Sequence, residues 1–529
     1  MQYYLPHHEP WPNLAISPVD TMKSIPAQEQ PPAPNATGVV IALAAGLVVL
    51  HVLTNGQYGF HRDELATLDD ARHLAWGYVA YPPITPFFGR IQLELFGPSV
   101  RGVRFLSAMA QAIAVVLSGL MARELGGKRL AQIVAALAVA IAPVSLAAGA
   151  LLQYVTFDYL WWVLTAYLII RLLRTENPRL WLGIGAAIGL GMMTKYSMLF
   201  FVAGIVAGLL LTDARRYLKS SWLWAGVALS LLIFLPNLIW QIQQHFITLD
   251  FLKHIHARDI RWGRTKGFLP DQIYIAANLF TIPLWVAGLY FYFRKPEGKS
   301  FRMVGWMFVV PFVLFVIAKG RGYYMAPSYP MLLAAGAVVE ERWLASMRST
   351  RARAWRVATF GVLTVGGVLM AFFALPMTPV NSSLWNIAVK VNDDFREELG
   401  WPELVAEVAR IRDTLPAGER DHVAILGANY GEAGAIDMYG AAYGLPKAIS
   451  GVNSYWARGY GDPPPQTLIV LGLSHHYVDE LFQSCELAGH TGNPYRVSNE
   501  ESKDHPDIFI CRNLRDPWPE FWKDFRYYG

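Results

Sequence analysis

Residues 222–240 read WLWAGVALSLLIFLPNLIW, a stretch without a single charged side chain. A bilayer core is about 30 Å thick, so a helix that crosses it needs about 20 mainly apolar residues. This stretch is therefore predicted to be a transmembrane helix, and similar stretches lie on both sides of it. There are about eleven candidate spans by this criterion: 38–54, 100–121, 130–149, 157–173, 180–194, 197–212, 222–240, 273–293, 303–318, 324–342 and 355–375.

The composition agrees with a polytopic membrane protein. Of the 529 residues, 54% are hydrophobic and 16% are charged, whereas soluble domains carry about 25% charged residues. The net charge of +5 does not indicate nucleic-acid binding, because most basic residues sit in short loops after every second span. Short loops rich in Lys and Arg face the cytoplasm. We therefore expect a cytoplasmic N-terminus and a C-terminal part outside the cell membrane.

Three regions follow from this pattern. Residues 1–37 are polar and rich in proline, so they are predicted to be a flexible cytoplasmic leader. Residues 38–380 form the transmembrane domain, whose two long outer loops, 55–98 and 241–271, are expected to hold helices on the membrane surface. Residues 381–529 are predicted to be a soluble α/β domain outside the membrane.

The elements of the soluble domain are predicted from periodicity. Helices are expected at 401–413 and 475–485, and strands at 422–426, 467–473 and 507–513. No dinucleotide fingerprint occurs, so no nucleotide cofactor is expected. Cys485 and Cys511 are the two cysteines. They form either a disulfide, if the domain faces an oxidising compartment, or two separate thiols, and their spacing does not suggest zinc.

Two sets of acids lie where chemistry is plausible. The first outer loop begins with GFHRDELA at 59–66, which contains Asp63 and Glu64. Asp158 lies at the outer end of an otherwise uncharged run, and an ionisable group at membrane depth indicates a functional site or an ion pair. The alternatives are solvated loop acids and, for Asp158, an acid that reaches the headgroup region.

Cations are expected on the same face of the membrane. Lys195 separates two short spans, and KGRGYY at 319–324 ends the ninth span with Lys319, Arg321, Tyr323 and Tyr324. Such groups suit a lipid phosphate, and the alternative is an interfacial anchor. His254 and His256 suit a phosphate or a metal, although residues two apart do not face one side of a helix.

Acids and cations on one surface suit a particular chemistry. A carboxylate accepts the proton of an acceptor hydroxyl, and cations stabilise the phosphate of a leaving group. The residues therefore predict an enzyme that transfers a sugar from a lipid phosphate. The rivals are a lipid-linked sugar transporter or flippase, for which internal inverted repeats would argue, and a non-catalytic assembly subunit.

Several segments carry a family resemblance. They are YGFHRDELATLDDARHLAWGYVAYPPITP at 58–86, VRGVRFLSA at 100–108, FDYL at 157–160, TKYSML at 194–199, KGRGYYMAPSYPMLLAAG at 319–336, NYGEAGAIDMYG at 429–440, YGLP at 443–446 and SGVNSYWARG at 450–459. In order and spacing the chain resembles the bacterial GT-C glycosyltransferases, of the superfamily that includes the protein O-mannosyltransferases and the lipid A aminoarabinose transferases.

The resemblance implies a GT-C fold in the bacterial inner membrane, with the C-terminal domain in the periplasm. It implies a polyprenyl-phosphate sugar as donor, a glycolipid, polysaccharide or protein hydroxyl as acceptor, and membrane lipids as the other partners. The catalytic carboxylate of the family maps to Asp63, and Asp158 matches a second cavity acid. Glu64 is expected to orient Asp63 or the sugar, or to bind a divalent metal ion with Asp63; no other cofactor is expected.

Further residues are assigned to substrate binding. Phosphate contacts are expected from Lys195, Lys319, Arg321, Tyr323 and Tyr324, and sugar or acceptor contacts from His61, Arg62, Tyr81, His254, His256, Asn429, Tyr430, Glu432, Asn453 and Tyr455. A purely structural role is the alternative for the residues of the outer domain. The aminoarabinose transferases carry an acid and a lysine where this chain has Tyr81-Pro82-Pro83, so their zinc site and their sugar are not carried over.

Overall fold

The computed structural model describes residues 35–529, so most of the predicted leader lies outside the described residues. Six helices in this range are long and apolar enough to cross a membrane. They are Thr37–Thr54, Val100–Glu124, Tyr154–Thr175, Ser221–Gln243, Pro296–Ile317 and Ser349–Ala374. Each of them coincides with a span predicted from hydropathy, which confirms a helical membrane protein.

Three of the remaining predicted spans are broken helices. The pairs are Arg129–Ala140 with Pro143–Gly149, bent by 64°, Met198–Leu211 with Asp213–Lys219, bent by 102°, and Phe268–Ala276 with Leu279–Arg294, bent by 89°. Counting each pair once gives up to nine spans in residues 35–529. The last two predicted spans are the shorter helices Leu180–Met192 and Tyr329–Ala345. That the chain crosses the membrane eleven times stays a prediction.

Two of these breaks meet inside the protein. The first break leaves the backbone carbonyl of Ile141 without a partner in its own helix. The side chain of Asn278 donates to this carbonyl at 3.0 Å. The side-chain oxygen of Asn278 accepts from the backbone of Phe280 at 3.0 Å, which starts the second half of the other broken pair. Away from water an unpaired backbone group is costly, so this buried asparagine stabilises both interruptions.

Helices occupy both long loops between the membrane helices; that they lie on the membrane surface stays a prediction. Arg62–Arg72 and Ile84–Phe96 lie in the first loop, and Ile247–Arg261 lies in the second. The first of these helices packs against the soluble domain, so it links the two parts of the molecule.

The soluble domain contains one mixed sheet of five strands. The strands are β1 (Ala424–Gly427), β2 (Ala448–Ile449), β3 (Thr467–Leu471), β4 (Phe482–His490) and β5 (Asp507–Leu514), in the order β2-β1-β3-β5-β4. β1 is parallel to β2 and β3, whereas β5 is antiparallel to β3 and β4. The helices of this region are Ser383–Ala388, Trp401–Thr414, Ala417–Arg420, Tyr430–Tyr439, Asn453–Trp456, His475–Leu481, Glu500–Asp504 and Trp518–Asp524. The predicted α/β class is therefore confirmed.

One predicted element of this domain is wrong. Residues 475–485 do not form a single helix, because the helix ends at Leu481 and β4 begins at Phe482. Phe482 is buried and pairs with Leu514 of β5, so pairing along the sheet edge overrides the local helical pattern. The same pairing places Cys485 directly opposite Cys511, and the two form a disulfide.

Candidate active site

A large cavity lies between the membrane helices and the soluble domain. Its volume is about 1860 Å³, and both parts of the chain line it. Apolar side chains of the membrane helices, Ile188 and Phe234 among them, form part of the wall, and polar and charged groups form the rest. Such a cavity can hold an apolar chain and a polar headgroup together.

The acidic pair begins the helix Arg62–Arg72. His61 is its N-cap: the ring Nδ1 accepts from the backbone N–H of Asp63 at 3.1 Å, and Glu64 accepts from the backbone N–H of His61 at 2.9 Å. This capping box fixes where the helix starts. Successive residues on a helix point in different directions, so Asp63 faces the cavity and Glu64 faces the protein interior.

Asp63 is held by one residue from each part of the molecule. Gln153 Nε2 donates to its Oδ2 at 2.8 Å, and the Tyr430 hydroxyl donates to its Oδ1 at 3.0 Å. The side chain is still 40% exposed, so both oxygens retain room for a further partner. Asp63 is therefore an oriented carboxylate on the cavity wall.

Glu64, unlike Asp63, does not line the cavity. It is fully buried and pairs with Arg104, whose Nε and Nη2 donate to its two oxygens at 2.9 and 2.6 Å. The backbone N–H of Leu152 donates to Glu64 Oε1 at 2.9 Å. These contacts do not fit the predicted roles of Glu64 in catalysis or in a shared metal site. Within residues 35–529 no group of three or more potential metal-ligating side chains is arranged to hold an ion.

Lys195 is surrounded by aromatic rings at the base of the cavity. Its ammonium lies 4.1 Å from the ring centre of Tyr324, 5.4 Å from that of Tyr323 and 5.1 Å from that of Tyr154. Asp158 lies behind it, near enough to interact with its charge. Asp158 does not line the cavity, because its oxygens accept from Ser197 at 2.8 Å and Trp162 at 3.1 Å. It is thus placed as a buried counter-charge for Lys195.

A second cationic group lies beside this one. Arg321 forms a two-pronged ion pair with Asp259, both contacts measuring 2.6 Å. Arg258 and Arg264 lie 4.0 Å from the same carboxylate. Lys319 is exposed and lines the cavity with Arg321. One buried acid therefore faces three guanidinium groups.

The other predicted contact residues divide into two groups. Those that line the cavity are His61, Arg62, Tyr81, His256, Tyr430, Asn453 and Tyr455. His254, Asn429 and Glu432 do not. The ring of His254 packs against Tyr528 at 5.6 Å, and Asn429 and Glu432 form the capping box of helix Tyr430–Tyr439.

Several residues of the site escaped the sequence analysis. The sequence analysis assigned no role to Gln153 or Tyr154. Asp259 was overlooked although it lies between Arg258 and Arg261, where an ion-pair partner is expected. Asp70 lines the cavity and accepts from the Tyr81 hydroxyl at 2.8 Å. Burial raises the pKa of Asp70 to about 7, despite its contact with Arg458 of the soluble domain at 2.8 Å.

Several known proteins are similar to this chain in sequence or in fold. The family model for dolichyl-phosphate-mannose-protein mannosyltransferase matches residues 80–240, a stretch that begins after Asp63. An undecaprenyl phosphate-alpha-4-amino-4-deoxy-L-arabinose arabinosyl transferase of Pseudomonas fluorescens is 27% identical over 53% of this chain and 52% of its own length. The chain thus spans about half of that relative.

Two further proteins are similar over most of their lengths. The lipid A galacturonosyltransferase RgtD of Rhizobium johnstonii is 25% identical over 83% of this chain and 90% of its own. The crystal structure of ArnT from Cupriavidus metallidurans bound to undecaprenyl phosphate superposes with a TM-score of 0.59, at 16% identity, over 90% of this chain and 98% of that one. The latter likeness concerns the fold.

The membrane helices, the cavity and the C-terminal sheet domain give the chain a fold similar to that of the ArnT structure. In sequence the chain is similar to the dolichyl-phosphate-mannose-protein mannosyltransferase family over residues 80–240 and to the two bacterial transferases described above. The resemblance described from the sequence is confirmed at this level.

Proposed function

We propose that this enzyme moves a sugar from a polyprenyl-phosphate donor to a hydroxyl acceptor, in one inverting displacement at the outer face of the bacterial inner membrane. The observation that carries the proposal is that the oriented carboxylate of Asp63 and the cations around Lys195 and Arg321 line one cavity. A base and a phosphate site on one cavity are what this reaction requires.

The apolar chain and the phosphate of the donor match the two kinds of side chain that line the cavity. The polyprenyl chain of the donor would lie against the apolar side chains, and its phosphate would lie near Lys195 and Arg321, with Tyr323 and Tyr324 as hydrogen-bond donors. Guanidinium groups bind phosphate oxygens in pairs. Arg321 uses two of its five N–H donors on Asp259, so the others remain for the phosphate. A crystal structure of the similar fold is described as bound to undecaprenyl phosphate, which supports this class of donor.

The reaction step balances without a further co-reactant. Asp63 accepts the proton of the acceptor hydroxyl, the acceptor oxygen bonds to the anomeric carbon, and the bond from that carbon to the phosphate oxygen breaks. Polyprenyl phosphate leaves with the electron pair of that bond, and its added negative charge is stabilised by Lys195 and Arg321. No general acid is needed, because phosphate is already a good leaving group. No step is assigned to a metal ion.

The proposed membrane topology follows from the charge pattern of the loops. The N-terminus is cytoplasmic, residues 38–380 form the membrane domain, and residues 381–529 form a periplasmic domain over the cavity. His61, Arg62, Tyr81, His256, Asn453 and Tyr455 line the part of the cavity in which the sugar and the acceptor would bind. The sugar, a hexose or a pentose, and the acceptor, a glycolipid, polysaccharide or protein, are the variables to be tested.

The test uses purified enzyme, radiolabelled polyprenyl-phosphate sugars and a crude extract of membrane acceptors. We expect label in an acceptor with the native chain, and a loss of turnover of about 1000-fold or more in Asp63→Asn, with donor binding retained. Asp421→Asn, an exposed carboxylate of the soluble domain away from the cavity, is the matched control. Turnover retained in Asp63→Asn would refute the base. Passage of intact donor across proteoliposomes without transfer would instead indicate a flippase.

A further inference from the structure

The soluble domain contributes a hydroxyl to the wall that holds Asp63. Tyr430 opens the helix Tyr430–Tyr439, and its hydroxyl donates to Asp63 Oδ1 at 3.0 Å although the two residues lie far apart in the sequence. The guanidinium of Arg62 lies 5.8 Å from the Tyr430 ring centre. The ring is therefore clamped between the first outer loop and its own domain.

The start of this helix is fixed from within the soluble domain. The side chain of Asn429 accepts from the backbone N–H groups of Gly431 and Glu432 at 2.8 and 2.9 Å. Glu432 accepts in return from the backbone of Ala428 at 2.9 Å and of Asn429 at 3.2 Å. A reciprocal cap of this kind fixes the first turn of a helix, and with it the direction in which Tyr430 points.

Two glycines let the helix lie directly against the helix that carries Asp63. A Cβ atom on Gly431 would come within 2.9 Å of the Arg62 Cβ, and one on Gly434 within 2.8 Å of the Leu65 Cβ. Real side chains do not approach so closely, so any larger residue would separate the two helices. The segment NYGEAGA thus combines a cap, a hydroxyl and two close-contact positions on one face.

We infer that Tyr430 is a positioning residue for the reaction, so that the soluble domain completes the active site of the membrane domain. The inference rests on the proposed role of Asp63 as the base. Gln153 of the membrane domain orients one carboxylate oxygen and Tyr430 of the soluble domain orients the other. Together the two donors fix the direction in which the carboxylate of Asp63 points into the cavity.

The experiment compares Tyr430→Phe with Tyr443→Phe, which removes an exposed hydroxyl of the same domain outside the cavity. Loss of one hydrogen bond to a charged group predicts a fall in kcat of about 10-fold for Tyr430→Phe, with the donor KM unchanged. Gln153→Leu should likewise lower kcat at an unchanged donor KM, because it removes the partner of the other carboxylate oxygen of Asp63.

The outcomes separate this inference from the proposed function. A normal kcat in Tyr430→Phe, with Asp63→Asn inactive, overturns the inference alone. A lower melting temperature with an unchanged kcat per folded molecule also overturns it, because the hydroxyl would then serve folding only. Turnover retained in Asp63→Asn overturns both the role of Asp63 as the base and the role of Tyr430 in positioning it.

Discussion

Replacing Arg104 with methionine should destabilise the junction between the two domains. Arg104 is fully buried and uses its whole guanidinium: it donates to Glu64, to the backbone oxygens of Asn55 and Gly59 at 2.9 and 3.0 Å, and to Glu398 at 3.2 Å. Methionine fills much of the same volume but offers no donor. The variant therefore leaves two buried carboxylates without their cation.

The size of the effect follows from the burial of all three side chains. Glu64 is 0% exposed and Glu398 is 5% exposed. Removing one partner of a buried ion pair costs about 3–5 kcal/mol, which corresponds to a melting shift on the order of 5–10 °C for a domain of this scale. Burial raises the pKa of Glu398 to about 7 even beside Arg104, so protonation of Glu398 near neutral pH reduces part of this cost.

The assay is thermal unfolding in detergent, followed by loss of the folded monomer at matched heating rates. Arg104→Met should melt well below the native chain, and Arg104→Met/Glu64→Gln/Glu398→Gln should recover part of the loss, because no buried charge remains. A single variant that melts within about 2 °C of the native chain, or a triple variant less stable than the single one, would refute the reasoning.

Other variants test the remaining contacts. Arg321→Lys cannot offer a planar fork, so the donor KM should rise about 10-fold in steady-state kinetics while kcat changes little; an unchanged KM would exclude Arg321 from the phosphate site. Burial raises the pKa of Glu432 from 4.5 to about 8, so the folded chain holds a proton that the unfolded chain releases, and stability should fall between about pH 5 and pH 8. Melting curves of Glu432→Gln should show a weaker pH dependence, and an identical slope would contradict this. Arg458→Gln leaves Asp69 and Asp70 without their cation, so limited proteolysis should release the soluble domain faster than from the native chain. Gly434→Val should lower kcat about as much as Tyr430→Phe, because the wider side chain moves the helix; native kcat would show that the close contact is dispensable.

Much of the architecture could be predicted from the sequence because its signals are local. An apolar run such as 222–240 has one favourable state in a bilayer, and the short continuous apolar run at 467–473 marks a buried strand. Breaks within a span are harder to see, since a hydropathy average over 130–149 hides the interruption that Pro143 marks. The pairing of Cys485 with Cys511 depends on strand register, which no local pattern gives.

The candidate site was predicted in part for the same reason. Asp63 and the KGRGYY segment stand out by charge beside apolar runs, whereas Glu64 carries the same charge and points elsewhere because neighbouring residues of a helix diverge. Asn429 and Glu432 were grouped with Tyr430 by polarity, although their spacing of three residues is that of a capping box. Asp259 and Gln153 act through partners that are distant in the chain, and only the fold brings them together.

The contact of two broken helices through Asn278 limits which substitutions this region tolerates. A single amide serves both interruptions, so neither bend can be straightened by itself without stranding a polar group in an oily interior. The two kinks are therefore coupled, and a chain that lacks Asn278 should need compensating changes near Ile141 and Phe280 at once.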